Sequence, residues 1–422
     1  MVAPARSAEF ATANPHALAS ILEASQTRSI IAASDIFDNQ GIKLWARDQP
    51  VSQALQRKLL DRQLRQPLES CLMAEDGVTS LTLVRSLEEQ LAQDGPLQAL
   101  LTPCAARLLL EAPYLPLHSV AQLLLTAGHA ARPAAFTHAV QAMALNGALM
   151  VAHGGRSAEI RLAMLCGLLH DLGEMYIDPR YGEADADLSL DLKSYQQLVV
   201  HPHVGQLLLA QLTDYPQAVI RAVAEHHERL DGSGYPHCLQ QDQVSPLGRM
   251  MAVTEATLGV LRAGNVDLAR VSVALRVVPG EYDLDWVGQI SKAARSRPAQ
   301  SAAPRLVQIQ ARLSQLDDAL AQADAAVAAL LADTQAGGLR SAVQLAGHLL
   351  GRLRAGWSDS GLWSPHSVSE NDAAEVEAIE DELLFRMRSI ERAAQLRAGE
   401  LPYSDALRLQ QLCQQLSVMS QG

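Results

Sequence analysis

Lysine is nearly missing from this chain. It occurs only at Lys43, Lys58, Lys193 and Lys292 among 422 residues, so arginine carries most of the 34 basic charges. Any contact with a phosphate must therefore come mostly from arginine, backbone N–H groups or a bound cation. Acidic residues number 46, and the net charge is −12. That balance argues against a general nucleic-acid binder or a protein held by charge on an anionic membrane. It does not forbid an anionic substrate, because a metal can supply positive charge locally. Cysteine is sparse and scattered, at Cys71, Cys104, Cys166, Cys238 and Cys413. An odd count with no CxxC excludes a disulfide framework and fits a reducing cytoplasm. No apolar run reaches about 18 residues without a charge, histidine or proline, so no membrane span is expected. The opening MVAPARSAEF lacks the apolar centre of a signal peptide.

Hydrophobic residues make up 48% of the chain and charged residues 19%, which supplies sizeable cores and excludes wholesale disorder. The length has room for two or three domains. Three regions separate by texture. Residues 1–112 read as a small mixed domain with an expected regulatory role. There SIIAASDIFDNQGIKLWARDQPVS reads as two short strands around a turn at Asn39, Gln40 and Gly41. Residues 113–297 are helical, apolar and rich in alanine and leucine. Residues 298–422 follow a linker, SRPAQSAAP. From Leu306 they carry apolar residues at Ile309, Leu313, Leu316, Leu320, Ala323, Val327 and Leu330, a heptad seam. A second helix is expected from about Asp372, with Val376, Ile379, Leu383, Met387 and Ile390. The loop WSDSGLWSPHSVSEN precedes it, and a last helix covers about Ser404 to Met419. A helical bundle or antiparallel coiled coil results, packing within the chain or offering a surface for a homodimer or another partner.

The middle region holds ten of the thirteen histidines. The helix in LAMLCGLLHDLGE is apolar on nearly every side and ends at adjacent His170 and Asp171. Burying a carboxylate beside an imidazole is costly unless both are paired or bound to a cation. His138 lies upstream in AAFTHAVQAMA and His201 in YQQLVVHPHVGQLLL. His226 and His227 end QAVIRAVAEHH, and Glu255 lies in RMMAVTEATLG. Consecutive helical residues point about 100° apart, so His226 and His227 cannot grip one ion from a single face. Two neighbouring ions, or one ion and a substrate, account for them better. Such a set is the donor chemistry of iron, manganese or zinc, and its natural work is activating water against a phosphoester.

HHERLDGSGYP at 226–236, together with the upstream His-Asp dyad, resembles the HD-GYP family of metal-dependent phosphodiesterases, known for hydrolysing cyclic di-GMP in bacterial signalling. The resemblance covers about 115–290. It implies a mainly α chain: a central HD-type bundle of about five to seven helices around the metals, a small N-terminal α+β domain and the C-terminal helices. It also implies a binuclear centre of iron or manganese, with zinc as the remaining choice. His138, His170, Asp171, His201, His226 and His227 match ligand positions, with Asp171 as the bridge, and Glu255 falls where the family has an aspartate. His170 and Asp171 are then the catalytic dyad. Tyr235 in the turn Asp231-Gly232-Ser233-Gly234 and Arg249 are the substrate-side candidates. Ala134, where some members place a third-metal glutamate, favours two metals.

Two departures weigh against full activity. The family's HDxGK lysine is Glu174 here. At about 4 Å and an effective dielectric near 20, exchanging one sign for the other involves about 4 kcal/mol per charge pair. The basic segment expected after the last ligand is replaced by LRAGNVDLAR. The sequence therefore predicts a cytoplasmic phosphodiesterase acting on cyclic di-GMP. The alternative is a weakened signalling module that binds metal or nucleotide and acts through partners.

Overall fold

The computed structural model describes residues 10–181, 196–262, 266–295, 306–360, 373–398 and 401–419. The proposed linker at 296–304 and most of the loop before Asp372 lie outside these residues. So do the side chains of Leu306, Ile309, Leu313 and Val376. The chain groups into two compact units, Met1–His227 with Ser245–Leu258, and Glu228–Val244 with Gly259–Gly422. This grouping cuts across the three textures of the sequence.

The first unit begins with α1 (Pro15–Ala24), capped by Asn14, whose Oδ1 accepts from the N–H groups of His16 and Ala17. The expected hairpin is present as β2 (Ile36–Phe37) and β3 (Lys43–Trp45). Asp38 Oδ1 fixes its turn by accepting from Gln40 N and Ile42 N at 3.0 and 2.8 Å. A second pairing, without a local mark in the sequence, joins β1 (Ile30–Ala32) to the distant β4 (Leu72–Ala74), antiparallel with Ile30 opposite Ala74. Helices α2 (Ser80–Ala92), α3 (Ser119–Ala131), α4 (Pro133–Ala152) and α5 (Ser157–Leu169) follow. After the short helical turn Leu172–Tyr176 come α6 (His201–Leu212), α7 (Gln217–Glu225) and α8 (Pro246–Arg262).

One continuous hydrophobic core runs through this unit. Phe10, Ile21, Ile30 and Leu72 belong to it as fully as Leu124, Leu165, Leu208 and Met251. At its centre α4 and α5 are apolar on almost every side, as the absence of an amphipathic stripe predicts for a buried pair. Gly167 sets their distance: a Cβ there would stand 2.4 Å from the Ala142 carbonyl oxygen. By length and composition α4 could span a bilayer, but 67% of that stretch is buried, and it carries His138 and Asn146 inside the fold.

The second unit holds α9 (Leu268–Ala274), α10 (Leu284–Ala294), α11 (Leu306–Ala332), α12 (Gly338–Ser360), α13 (Ala373–Ala398) and α14 (Tyr403–Met419). The seam of α11 is buried at Leu316, Leu320, Ala323 and Val327, against Leu383, Met387 and Ile390 of α13. Helix α12 was not foreseen, although it supplies Leu339, Val343, Ala346, Leu350, Leu353 and Trp357 to the same core. Trp357, which opens the loop expected from the sequence, is instead buried near the end of α12 and donates to Asp317 Oδ1 at 2.8 Å. Val277 and Val278 join this core, so the end of the middle region packs with the C-terminal helices.

Candidate metal centre

Every helix end near the centre is placed by local chemistry. Helix α5 stops where His170 takes the C-cap position and Asp171 opens the following turn. Pro202 in the first turn of α6 suits a helix start and fixes His201 as its first residue. Helix α7 likewise stops with His226 at the C-cap, and His227 follows. His138 stands inside α4 and Glu255 inside α8. These five segments come from across the unit, and all seven side chains converge in its interior.

They form two groups that share Asp171. In the first, Asp171 Oδ2 lies 3.0 Å from His170 Nε2 and 3.5 Å from His138 Nε2. Glu255 Oε2 lies 3.1 Å from His138 Nε2 and 3.3 Å from His170 Nε2. In the second, Asp171 Oδ1 faces His201 Nε2 and His226 Nε2 at 3.4 Å each, with His227 completing the group. His226 and His227 thus meet at one position, against the expectation from helical spacing, because α7 ends at Glu225 and His227 lies beyond its C-cap. His170, His201 and His226 are fully buried.

Backbone carbonyls fix the tautomer of three rings. His170 Nδ1 donates to Gly167 O at 2.8 Å, His201 Nδ1 to Leu198 O at 2.7 Å, and His226 Nδ1 to Val223 O at 2.6 Å. A carbonyl only accepts, so Nδ1 carries the hydrogen and each neutral ring turns a lone pair on Nε2 inward. Two such nitrogens, of His201 and His226, are 3.0 Å apart. Facing lone pairs repel unless a positive charge sits between or beside them. Burial and the neighbouring His227 push His226 down to about 3, so at neutral pH this ring does not carry that charge as a proton. Asp171 Oδ1 is buried and has no hydrogen-bond partner. These features fit the donor set of a cation site. The carbonyl contacts are the kind of outer support that orients imidazole ligands.

The electrostatics agree. Burial alone would raise Asp171 and Glu255, but adjacent imidazoles outweigh it and hold both carboxyls well below the usual range. Burial would lower His170, yet Asp171 beside it, helped by Glu255, raises it well above its ordinary value. The pocket therefore favours net positive charge. The C-terminal ends of α5 and α7, with their partial negative charge, add to that preference.

The sequence missed the residues that brace this cage. Asn146 of α4 donates to Ala163 O of α5 at 3.1 Å and accepts from Thr254 Oγ1 of α8 at 2.5 Å, next to Glu255. Glu225 accepts from Arg221 Nε at 2.6 Å, Ser245 N at 2.8 Å and Ser245 Oγ at 2.5 Å, anchoring the end of α7 beside His226. A lone asparagine in the apolar run of α4 was the available signal for the first.

Arg249 is half-buried on α8, ahead of Glu255. Tyr235 belongs to the second unit, in a turn where Asp231 Oδ1 accepts from Ser233 N and Oγ at 3.0 and 2.7 Å. Gly232 there has φ +84°, the left-handed conformation expected of a glycine in that turn. The buried Glu228 holds the same segment through His237 N and Leu239 N at 2.7 and 2.9 Å. Glu174 is buried, and its carbonyl accepts from Arg132 Nη1 at 2.8 Å.

Residues 130–278, roughly a third of the chain, match the family model described as HD domain. This stretch of the chain is an HD domain. Its HD domain is similar to the cyclic di-GMP phosphodiesterase PA4108 of Pseudomonas aeruginosa, 37% identical over 97 residues, which is 23% of each chain. It is 27% identical over 130 residues to 3'3'-cGAMP-specific phosphodiesterase 3 of Vibrio cholerae, covering 31% of this chain and 26% of that one. With the cyclic di-GMP phosphodiesterase response regulator RpfG of Xanthomonas campestris pv. campestris it shares 29% identity over 106 residues, 25% of this chain and 28% of that one. The matches thus span about a quarter of the length of these relatives. Among solved structures, Bd1817, an HDG"Y"P protein from Bdellovibrio bacteriovorus, aligns over 64% of this chain and 97% of its own, with 15% identity and a TM-score of 0.36. The HD-domain match and the histidine–aspartate cluster together point to divalent metal binding.

Proposed function

We propose that this protein is a metal-dependent phosphodiesterase that hydrolyses a cyclic dinucleotide at a binuclear centre. The observation that carries the reading is the division of imidazole donors between the two oxygens of one carboxylate, Asp171. His138, His170 and Glu255 would serve one metal with Oδ2, and His201, His226 and His227 the other with Oδ1. The donor set suits iron or manganese, and zinc less well in so crowded an imidazole–carboxylate site. Bound there, such metals would supply Lewis acidity and lower the pKa of a coordinated water.

The protein's own contribution is orientation. The Gly167, Leu198 and Val223 carbonyls hold three rings in the ligating tautomer, and burial excludes bulk water from the donors. Arg249 and Tyr235 remain the proposed substrate-side groups, Arg249 for a phosphate and Tyr235 for the nucleotide. The relatives named for cyclic di-GMP and for 3'3'-cGAMP support the substrate class and leave two substrates to compare.

A second reading, a module that binds metal and nucleotide without turnover, is favoured by one feature. Glu174 brings a buried acid to the position where the family carries a lysine. The test is elemental analysis of full-length protein purified without chelator, followed by incubation with cyclic di-GMP and 3'3'-cGAMP. Two equivalents of iron or manganese and linear product are expected, both lost in the His170→Ala, Asp171→Ala double variant. Equal product from parent and variant would discard the enzyme reading. Nucleotide binding by calorimetry without product would select the module.

A further inference from the structure

We propose that Glu69 and Asn14, far upstream of the HD domain match, are positioning residues for the metal centre and act on it through Tyr176. The inference rests on the metal-binding part of the reading above and does not depend on the substrate.

The turn that follows the dyad is the shared element. Asp171 opens it, and Glu174 N donates to Asp171 O at 2.9 Å. Gly173 lies flat against the start of α6: a Cβ there would stand 2.0 Å from His201 O and 2.7 Å from Gly205 N. The turn can therefore shift only if His201 shifts with it. Tyr176 closes the turn, and the N-terminal region grips it at three points. Its hydroxyl donates to Glu69 Oε1 at 2.8 Å, both groups being buried. Its carbonyl accepts from Asn14 Nδ2 at 3.1 Å. Its ring meets Phe10 edge-on, with centroids 5.8 Å apart.

Asn14 is committed on its other side, because its Oδ1 caps α1. Burial raises the Glu69 carboxyl, while hydrogen bonds from its own backbone N–H and from Tyr176 lower it in part. A rotation of the turn would swing both oxygens of Asp171 relative to the two imidazole groups. Outer groups that orient metal ligands set affinity, and their loss typically costs about 10- to 100-fold.

The test measures Mn²⁺ affinity of the full chain by competition with a chelating indicator, well below each variant's melting temperature. Tyr176→Phe removes the donor and Glu69→Leu the acceptor. Each is expected to weaken Mn²⁺ binding about 10- to 100-fold. Glu69→Gln, which keeps an acceptor, should stay within about threefold of the parent. The Glu69→Leu, Tyr176→Phe double variant should be no worse than either single, since all three break one link. If Tyr176→Phe fails to fold, Asn14→Asp, which keeps the Oδ1 cap of α1 and removes only the Nδ2 donor to the Tyr176 carbonyl, carries the comparison with a smaller loss in the same direction. Parent-like affinity in these variants, even with lowered melting temperature, would reduce the contact to packing and overturn the proposal. Equal loss in Glu69→Gln and Glu69→Leu would do the same. A parent that binds Mn²⁺ but turns over no cyclic dinucleotide refutes only the phosphodiesterase reading. A parent that binds no Mn²⁺ overturns this inference.

Discussion

Three ring N–H groups decide what the cage can hold. With Nδ1 of His170, His201 and His226 committed to carbonyls, the inward nitrogens are oriented as metal ligands would be. Because Asp171 belongs to both groups, its replacement should cost more than that of any histidine. Asp171→Ala is expected to lose both metal equivalents, and His226→Ala one, by elemental analysis after gel filtration. Parent-like content in Asp171→Ala would contradict the shared-carboxylate arrangement.

Protons report on the same residue. His226 in the metal-free fold titrates at about 3 rather than 6.5. As pH falls below 6.5 the unfolded chain takes up this proton and the folded chain does not, so its contribution is complete above 6.5 and fades toward 3. His170, raised instead, contributes below 6.5 and loses that contribution as pH rises through its folded value. Denaturant titrations of metal-free His226→Gln and parent should therefore differ in slope: the variant's stability, relative to the parent's, should improve between pH 6.5 and pH 4.5. All seven ligand candidates were legible in the sequence, because charge and imidazole inside apolar helices require a reason. The division into two groups was not, since it depends on which carboxylate oxygen faces which ring.

At the scale of elements, legibility followed contact range. The local hairpin of β2 and β3 could be read from its turn, whereas β1 and β4 are joined across some forty residues and leave no local mark. Helix α12 was legible and overlooked. Its buried positions step by four and three from Leu339 to Trp357, as regularly as those of α11, but charged residues and glycines interrupt them. Leu320 of α11 is fully buried, so Leu320→Ala should cost the second unit about 2–5 kcal/mol by thermal or chemical denaturation.

A buried acid in that unit gives a pH test of opposite sign. Glu281 accepts from Arg386, lies 3.6 Å from Arg229, and has Oε2 without a hydrogen-bond partner. Burial raises it to about 7, against opposition from Arg386. Between its ordinary value of 4.5 and about 7 the folded chain holds a proton that the unfolded chain releases. Stability therefore falls as pH rises through this window. Glu281→Gln should remove that slope, gaining on the parent by roughly 1–3 kcal/mol from pH 5 to pH 8. A constant difference across the window would refute the buried-acid account.

For the whole molecule, composition already excluded a great deal. An acidic, lysine-poor chain leaves metal and arginine to meet a phosphate, and the cage supplies the place for metal. The HD domain and the mainly helical fold class were readable from the dyad and the GYP segment, while the grouping into two compact units was not. Texture reflects local sequence, and compactness reflects which apolar faces meet. If turnover depends on metals rather than on a basic surface, activity toward a cyclic dinucleotide should change little between about 50 and 200 mM salt. It should vanish on chelation and return with Mn²⁺ or Fe²⁺. A steep salt dependence would instead assign substrate capture to surface arginines.

The continuous core of the first unit has a consequence for anyone dissecting this protein. The stretch that matches the HD family is walled by side chains that precede it, among them Ile21, Ile30 and Leu72. Cutting at residue 113 would strip an oily flank bare to water. The excised piece should clump during expression, and grafting a different domain in front of it would succeed only if the newcomer brought a matching wall.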